Sequence, residues 1–172
     1  MPRSIADARK KVSILLDGVP ADLPTTGAVI PAALLNSDDA TCNIAKNDFR
    51  MSATASESIN DPRLCDEGNA SVLGASNYEA SWSIFRYFDE DGQVDPDEDW
   101  LFDLVRAKGA TVVAALRENG RMYDQEWQEG EEGELWVMKN DNPQRPTDTG
   151  GYIKRVTPFA VERVVPFTVG TA

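Results

Sequence analysis

The sequence predicts a mostly β protein, an antiparallel β-sandwich or barrel with one flanking α-helix at about residues 96–108. Several segments alternate apolar and polar residues with the period of a strand, whereas a single segment carries both the start and the stop signals of a helix. The chain has 172 residues, of which 41% are hydrophobic, which suffices for one domain with a sizeable core. We therefore expect residues 1–172 to form a single domain.

The first predicted elements are a strand and a long connection. Residues 11–17 (KVSILLD) have the composition of a strand, which Gly18 ends. Residues 19–36 contain three prolines and a glycine, which predict an extended arm or loop. Because this segment is also rich in apolar side chains, we expect it to pack on a neighbouring chain.

Two long alternating segments follow, at residues 45–56 and 71–88, and they predict a long antiparallel hairpin. One face of this hairpin is apolar, and its predicted core members are Phe49, Met51, Tyr78, Trp82 and Ile84. The opposite face is polar and carries Asp48, Arg50, Ser52, Thr54, Glu79, Ser81 and Ser83. The hairpin is therefore predicted to bury one face and to expose the other.

The helix at residues 96–108 has signals at both ends. Asp95 is a favourable N-cap, Pro96 suits the first helical position, and Glu98 completes a capping box with Asp95. Gly109 is placed to end the helix in the left-handed conformation. The side chains predicted to face the core are Leu101, Leu104 and Val105.

The rest of the chain is predicted to contain further strands and one long polar loop at residues 140–151. The strands are predicted at residues 110–117, 134–139, 152–157 and 161–169. The last two are interpreted as a terminal strand pair joined at Pro158. Pro166 predicts that the last strand is an edge strand or a bulged one.

The chain contains no histidine and has a formal net charge of −12. Without histidine it cannot build a Ser-His-Asp triad, a His-ligated zinc site or an imidazole proton shuttle. The acidic balance also argues against direct attraction to nucleic acid, because nucleic-acid-binding proteins usually carry a basic patch. The composition therefore favours a structural or assembly protein, with no catalytic residues and no cofactor.

Cysteine content and targeting signals indicate the compartment. Cys42 and Cys65 are too few for a disulfide framework, and both are predicted to be reduced and partly buried. Residues 1–12 are not followed by the apolar run of a signal peptide, and no segment has the length of a membrane span. We expect a protein made and kept in the cytosol, or in a particle assembled there.

One segment imitates a calcium-binding EF-hand loop. Asp89, Asp91, Asp95 and Glu98 fall at positions 3, 5, 9 and 12 of such a loop. However, Tyr87 occupies position 1, where a carboxylate is needed, and the preceding residues alternate as a strand. We interpret the segment as a strand-to-helix turn and expect no metal site there.

The order of these elements resembles the major tail (tail tube) proteins of long-tailed, non-contractile bacteriophages, particularly those that infect actinobacteria. The resemblance covers residues 40–170. It is carried by the order of the segments FRM (49–51), LCD (64–66), NYEASWSIFR (77–86), DWLFDL (99–104) and VERVVP (161–166).

The resemblance implies a structural virion protein that forms hexameric rings, which stack into a hollow tail tube for DNA delivery. Long hairpin strands would join neighbouring copies in a closed barrel, which removes exposed edges. The polar face of the hairpin (Asp48, Arg50, Ser52, Thr54, Glu79, Ser81 and Ser83) would then line the lumen. Acidic charge there would repel phosphate, so that DNA passes without specific binding.

The implied partners are further copies of the chain together with tape-measure, tail-terminator and baseplate-side proteins, and no membrane. The implied location is the virion tail, which is assembled in the host cytoplasm. Two alternatives stay open. A tail terminator or another head–tail component would form a single ring, and a calcium-binding β-sandwich adhesion module would use the loop at residues 89–98. An enzyme is less favoured, because the sequence does not indicate a cleft.

Overall fold

A curled antiparallel sheet in the form of a half-barrel organises the chain, which confirms the mostly β class. The computed structural model describes residues 8–16, 27–56, 58–60, 71–73, 75–147 and 150–171. The strands are β1 (Lys10–Ile14), β2 (Ala28–Pro31), β3 (Arg50–Thr54), β4 (Ser58–Asn60), β5 (Ser71–Leu73), β6 (Asn77–Phe85), β7 (Thr111–Glu118), β8 (Glu132–Asn140) and β9 (Lys154–Gly170). The α-helices of the described residues are α1 (Ala32–Leu35) and α2 (Trp100–Val105).

The main sheet has seven strands in the order β1-β7-β8-β9-β6-β3, and β2 lies parallel to the end of β9. All neighbours in that order are antiparallel. β4 and β5 pair with each other in a separate two-stranded ribbon. Because β3 also pairs with β6, the four strands form one long hairpin, as the two alternating segments predict.

The hairpin strands are shorter than their alternating patterns. Lys46–Asp48 is a 3₁₀ turn, and regular pairing of the first strand starts only at Arg50. Before that turn, Ala45 N donates to Ser83 O at 2.7 Å, so the chain already lies beside β6.

β9 is one continuous strand of 17 residues, so the predicted terminal strand pair is wrong. Pro158 and Pro166 both lie inside it. The backbone N and C=O of Pro158 point toward the β8 side of β9, just past Asn140, where β8 ends. There Asp141 N donates to Pro158 O at 3.0 Å. Pro166 precedes the pairing with β2, which begins at Phe167. Because each missing N–H lies beyond the end of a partner strand, both prolines fit an uninterrupted strand.

Apolar clusters cover both faces of the sheet. One cluster lies between the sheet, α2 and the segment at residues 40–49, and it contains Trp82, Trp136 and Leu101. The other lies between the sheet, β2 and α1, and it contains Trp127 and Phe167. The layers over the sheet are therefore short helices and ordered loops.

α2 is much shorter than the predicted helix at residues 96–108. Residues 96–98 form a turn, in which Asp95 Oδ1 accepts hydrogen bonds from Asp97 N at 3.0 Å and Glu98 N at 3.3 Å. Asp95 thus caps this turn, and α2 begins only after Asp99.

The predicted capping box is only half formed. Asp95 N donates to Tyr87 O at 3.1 Å, and this bond takes the N–H that a Glu98 carboxylate would accept. After the helix, Gly109 has a φ of 82°, the left-handed conformation expected of it.

Part of the predicted arm at residues 19–36 belongs to the body of the protein. Residues 27–36 contain β2 and α1, and the side chains of Ile30 and Leu35 are buried against the sheet. Ile30 and Leu35 thus cover the chain's own sheet, whereas Val29 and Leu34 are exposed. Residues 17–26 lie outside the described residues.

The predicted loop at 140–151 starts one residue late, because Asn140 ends β8.

Five predicted core residues are buried: Met51, Trp82, Ile84, Leu101 and Val105. Phe49 and Leu104 are half-buried at the margin of the first cluster. Tyr78 is not a core residue, because its side chain is 37% exposed near the start of β6, where β9 no longer pairs with that strand. The ring of Tyr78 packs edge-on against Trp136, with 5.6 Å between the ring centroids.

Candidate assembly surface

The polar face of the hairpin gathers most of the predicted lumen residues. The register pairs Arg50 with Ser81 and Ser52 with Glu79, which places these four side chains on one face of β3 and β6. Thr54 continues the row on β3. We call Asp48, Arg50, Ser52, Thr54, Glu79 and Ser81 the polar hairpin face.

Ser83 does not belong to that exposed face. It is fully buried, and its hydroxyl has no hydrogen-bond partner among the described residues. At this point β6 lies between Val156 of β9 and the chain at Ala45, so the backbone of Ser83 has neighbours on both sides. The alternating pattern therefore predicts on which face of the sheet a side chain lies, but not whether that side chain is buried there.

Charges on the polar hairpin face are paired. Arg50 forms an ion pair with Glu79, and Lys154 Nζ lies 3.3 Å from Asp48 Oδ2. Asp48 reaches this position from the 3₁₀ turn and not from a strand. The face is therefore charge-balanced and not acidic.

The acidic surplus lies instead in two connections, at residues 89–99 and 124–134. In the first, Asp89 Oδ1 accepts hydrogen bonds from Asp91 N at 3.0 Å and Gln93 N at 2.7 Å. This carboxylate thus holds its own turn, as that of Asp95 does. Across the described ranges, no group of three or more His, Cys, Asp or Glu side chains could hold a metal ion.

A buried ion pair fastens this acidic connection to the sheet. Arg86 Nη2 lies 2.9 Å from Asp99 Oδ2, and Tyr87 N donates to Asp99 Oδ1 at 3.0 Å. The Arg86 guanidinium also lies over the Phe102 ring, 3.8 Å from its centroid. The end of β6 and the start of α2 are thereby held together.

A second ion pair closes one edge of the sheet. Ile14 N donates to Asp38 O at 2.8 Å and Ala40 N donates to Val12 O at 2.9 Å, so residues 38–40 cover the outer edge of β1. Asp39 Oδ2 also accepts a hydrogen bond from the buried Lys11 ammonium at 2.7 Å.

The pKa of Asp39 follows from these contacts. Burial alone would raise it, but hydrogen bonds from Lys11 and Thr41 outweigh that effect and hold it below its ordinary value.

Other edges of the sheet are open. Within the part of the chain that the structure describes, no strand pairs with the outer edge of β3 or with either outer side of the β4–β5 ribbon. Unpaired strand edges invite pairing with another chain. These edges are the features of the fold best suited to assembly.

Sequence reasoning missed several exposed features. Tyr152 and Ile153 are 83% and 55% exposed beside the start of β9, although both are large and apolar. The Tyr152 ring stands edge-on to Phe85, with 5.8 Å between centroids. Cys42 is exposed and not partly buried as predicted, and Cys65 lies outside the described residues. Only exposure in the folded chain reveals such positions.

Two grooves of moderate size cut the surface. One, of about 600 Å³, is lined by Glu118, Glu132 and Glu134 together with Leu116 and Pro166. The other, of about 560 Å³, is more apolar and is lined by residues that include Val12, Ile44 and Phe49.

No helix among the described residues has the length and hydropathy needed to cross a membrane.

Comparison with known protein families gives a match. A family model described as phage tail tube protein matches residues 1–169, which is nearly the whole chain. No curated protein matches the sequence.

Proposed function

The chain belongs to the phage tail tube protein family, and we propose that its copies form hexameric rings that stack into the hollow tube through which phage DNA is delivered. The family match carries this proposal. Membership makes the chain a structural component of the virion tail and indicates a non-enzymatic role. The hexameric ring, its stacking and the passage of DNA are the proposed steps.

The open strand edges support self-assembly. A two-stranded ribbon is only marginally stable by itself in water, and β4 and β5 pair with nothing else among the described residues. The outer edge of β3 is open as well. Closure of these edges between neighbouring copies would turn half-barrels into one continuous barrel around a channel.

We propose that the polar hairpin face lines the channel. Its two ion pairs, Arg50 with Glu79 and Lys154 with Asp48, leave no surplus positive charge that would hold DNA phosphate. This replaces the expectation of a strongly acidic lining on these strands. A neutral polar lining also allows DNA to slide, because it makes no specific contact with the bases.

Further partners follow from the proposed role. Tape-measure, tail-terminator and baseplate-side proteins would contact the tube inside or at its ends, and assembly would take place in the host cytoplasm. The calcium-dependent adhesion module is less well supported, because Asp89 and Asp95 already accept backbone hydrogen bonds from their own turns.

Negative-stain electron microscopy of the concentrated protein, with and without calcium, tests the proposal. Stacked sixfold rings or hollow tubes in both conditions are the expected result. Single rings that never stack would favour a tail terminator. Monomers that respond to calcium would favour the adhesion module.

Cysteine labelling of assembled tubes tests the proposed lining. In a Cys42→Ser, Cys65→Ser background, Ser52→Cys should react with a small maleimide but not with a maleimide on a large polymer. Glu90→Cys, in the acidic connection, is the matched control and should react with both. Equal reaction of Ser52→Cys with both reagents would place this face outside the channel.

A further inference from the structure

One edge of β9 has a gap between two partner strands. β8 pairs along the other edge of β9, whereas on this edge β6 pairs only up to Phe159 and β2 pairs only from Phe167. Among the described residues, no strand pairs with residues 160–166 on this side. We call this stretch the β9 gap.

Hydrogen-bonding groups in the β9 gap point outward. Asp141 N donates to Pro158 O at 3.0 Å and Val169 N donates to Glu131 O at 2.8 Å, so Pro158 and Val169 face the β8 side. Peptide groups alternate along a strand, and the pairing with β8 shifts by one residue between Val137 and Met138. Because of this shift, the alternation is counted separately from each end. Counted from Pro158, the N–H and C=O groups of Val161 face the gap, and counted back from Val169, those of Val164 face it.

The chain's own neighbouring elements turn away from the gap. β6 leaves β9 beyond Ala80 and continues with β3, which lies on the far side of β6. Gly27, directly before β2, has a φ of 71°, a left-handed conformation that interrupts the extended backbone at the start of β2. The described elements therefore leave the gap open for a strand from elsewhere.

We propose that the β4–β5 ribbon of a second copy enters the β9 gap and pairs with Val161 and Val164. This inference rests on the proposed self-assembly and names the two surfaces that meet. The ribbon fits because it has open edges and gains most from a further partner strand. Because ribbon and gap are different surfaces, the contact is head-to-tail, the type that generates rings or helical filaments.

Hydrogen exchange measured by mass spectrometry tests the pairing directly. In the monomer, the amides of Val161 and Val164 should exchange at least tenfold faster than that of Val165, which faces β8. In assembled tubes, they should become protected to a similar extent. Protection already present in the monomer would show that the chain fills its own gap, and this would overturn the inference.

Two complementary variants test the partner. Val164→Pro removes a donor on the gap side and should block the acceptor surface, and Ile59→Pro should disrupt the ribbon. Each variant alone should remain monomeric, with the circular dichroism spectrum of the wild type. An equimolar mixture has only one intact ribbon–gap contact, so it should form dimers in analytical ultracentrifugation and stop there.

The outcomes separate this inference from the proposed function. Wild-type tubes with unprotected Val161 and Val164 amides, or a Val164→Pro variant that assembles normally, would overturn only the inference. A mixture that stays monomeric would overturn it as well. Wild-type protein that never forms rings or tubes would contradict the proposed function, and the inference would fall with it. Exchange on the wild type decides the matter even if a proline variant does not fold.

Discussion

Arg86 and Asp99 form a buried ion pair in which Arg86 Nε donates to both carboxylate oxygens of Asp99 at 3.0 Å. Their side chains are only 12% and 3% exposed. The pair joins the end of β6 to the start of α2 across the acidic connection at residues 89–99. It therefore adds a charged contact to the backbone bond from Asp95 N to Tyr87 O, which also ties this segment to the end of β6.

Asp99→Ala should lower the free energy of unfolding by about 3–5 kcal/mol, because it leaves the Arg86 guanidinium buried and unpaired. Urea denaturation measures this change. Asp103→Ala is the matched control, because Asp103 and Arg106 form an exposed ion pair worth less than about 0.5 kcal/mol. Equal effects of the two substitutions would contradict the structural role assigned to Asp99.

Asp39→Asn should change how stability depends on acid. The folded-state pKa of Asp39 is lowered, so its carboxylate stabilises the fold fully above the unfolded pKa of about 3.9. That contribution is lost as the pH falls through the lower, folded-state pKa. Urea denaturation between pH 7 and pH 2 should therefore show a shallower decline below about pH 4 for the variant than for the wild type.

The same substitution should also destabilise the protein at neutral pH, because it leaves the Lys11 ammonium buried without its carboxylate partner. Asp38→Asn is a suitable control, since Asp38 covers β1 through its backbone carbonyl. Parallel curves for wild type and Asp39→Asn at every pH would show that the ion pair does not contribute.

Thr157→Val should leave stability unchanged or raise it by up to about 1 kcal/mol. Thr157 is fully buried, and its hydroxyl has no hydrogen-bond partner among the described residues. Removal of a buried, unsatisfied polar atom avoids a desolvation cost. Thr168→Val, at an exposed position of β9, is the control, and calorimetry measures both. A clear loss of stability for Thr157→Val would reveal a buried water bound to that hydroxyl.

Gly133→Ala should destabilise the protein by about 1–3 kcal/mol, because the added methyl group overpacks a full site. A Cβ at this position would lie 2.7 Å from Phe167 Cζ and 2.9 Å from Leu116 O. Phe167→Leu should partly rescue the variant, and a double-mutant cycle in urea gives the coupling. Additive effects of the two substitutions would contradict this contact.

Calcium should not change the thermal stability of the protein. The carboxylates of Asp89 and Asp95 hold backbone N–H groups, and the described residues contain no cluster of three or more candidate ligands. Scanning calorimetry in millimolar calcium and in chelator should give the same Tm. A Tm that rises with calcium would revive the adhesion-module alternative.

Local patterns in the sequence predicted the hairpin and the position of the helix. Alternation gives the face of each side chain, so Met51, Trp82 and Ile84 are buried together as expected. Alternation does not show how far neighbouring strands extend. Tyr78 differs for this reason, since it lies beyond the part of β6 that pairs with β9, and Ser83 is buried although its face of the hairpin is polar.

Long-range pairing was beyond the reach of the sequence. The parallel contact of β2 with β9 joins residues near 30 with residues near 168, and no local pattern encodes it. The continuity of β9 was missed because prolines usually interrupt strands, whereas Pro158 and Pro166 lie where partner strands end. The β9 gap follows from these two facts together, so only the fold reveals it.

The central position of β9 also determines when the protein can fold. β6, β8 and β2 all pair with this strand, and β1 at residues 10–14 pairs only with β7 at residues 111–118. Contacts so distant along the chain make folding slow, and the β1-β7-β8 and β6-β3 parts of the sheet cannot join until the ribosome has released β9. The gap that we assign to a second copy is carried by this same strand. A nascent chain therefore acquires its acceptor site only when β9 has joined the sheet, which delays polymerisation until β9 has been synthesised.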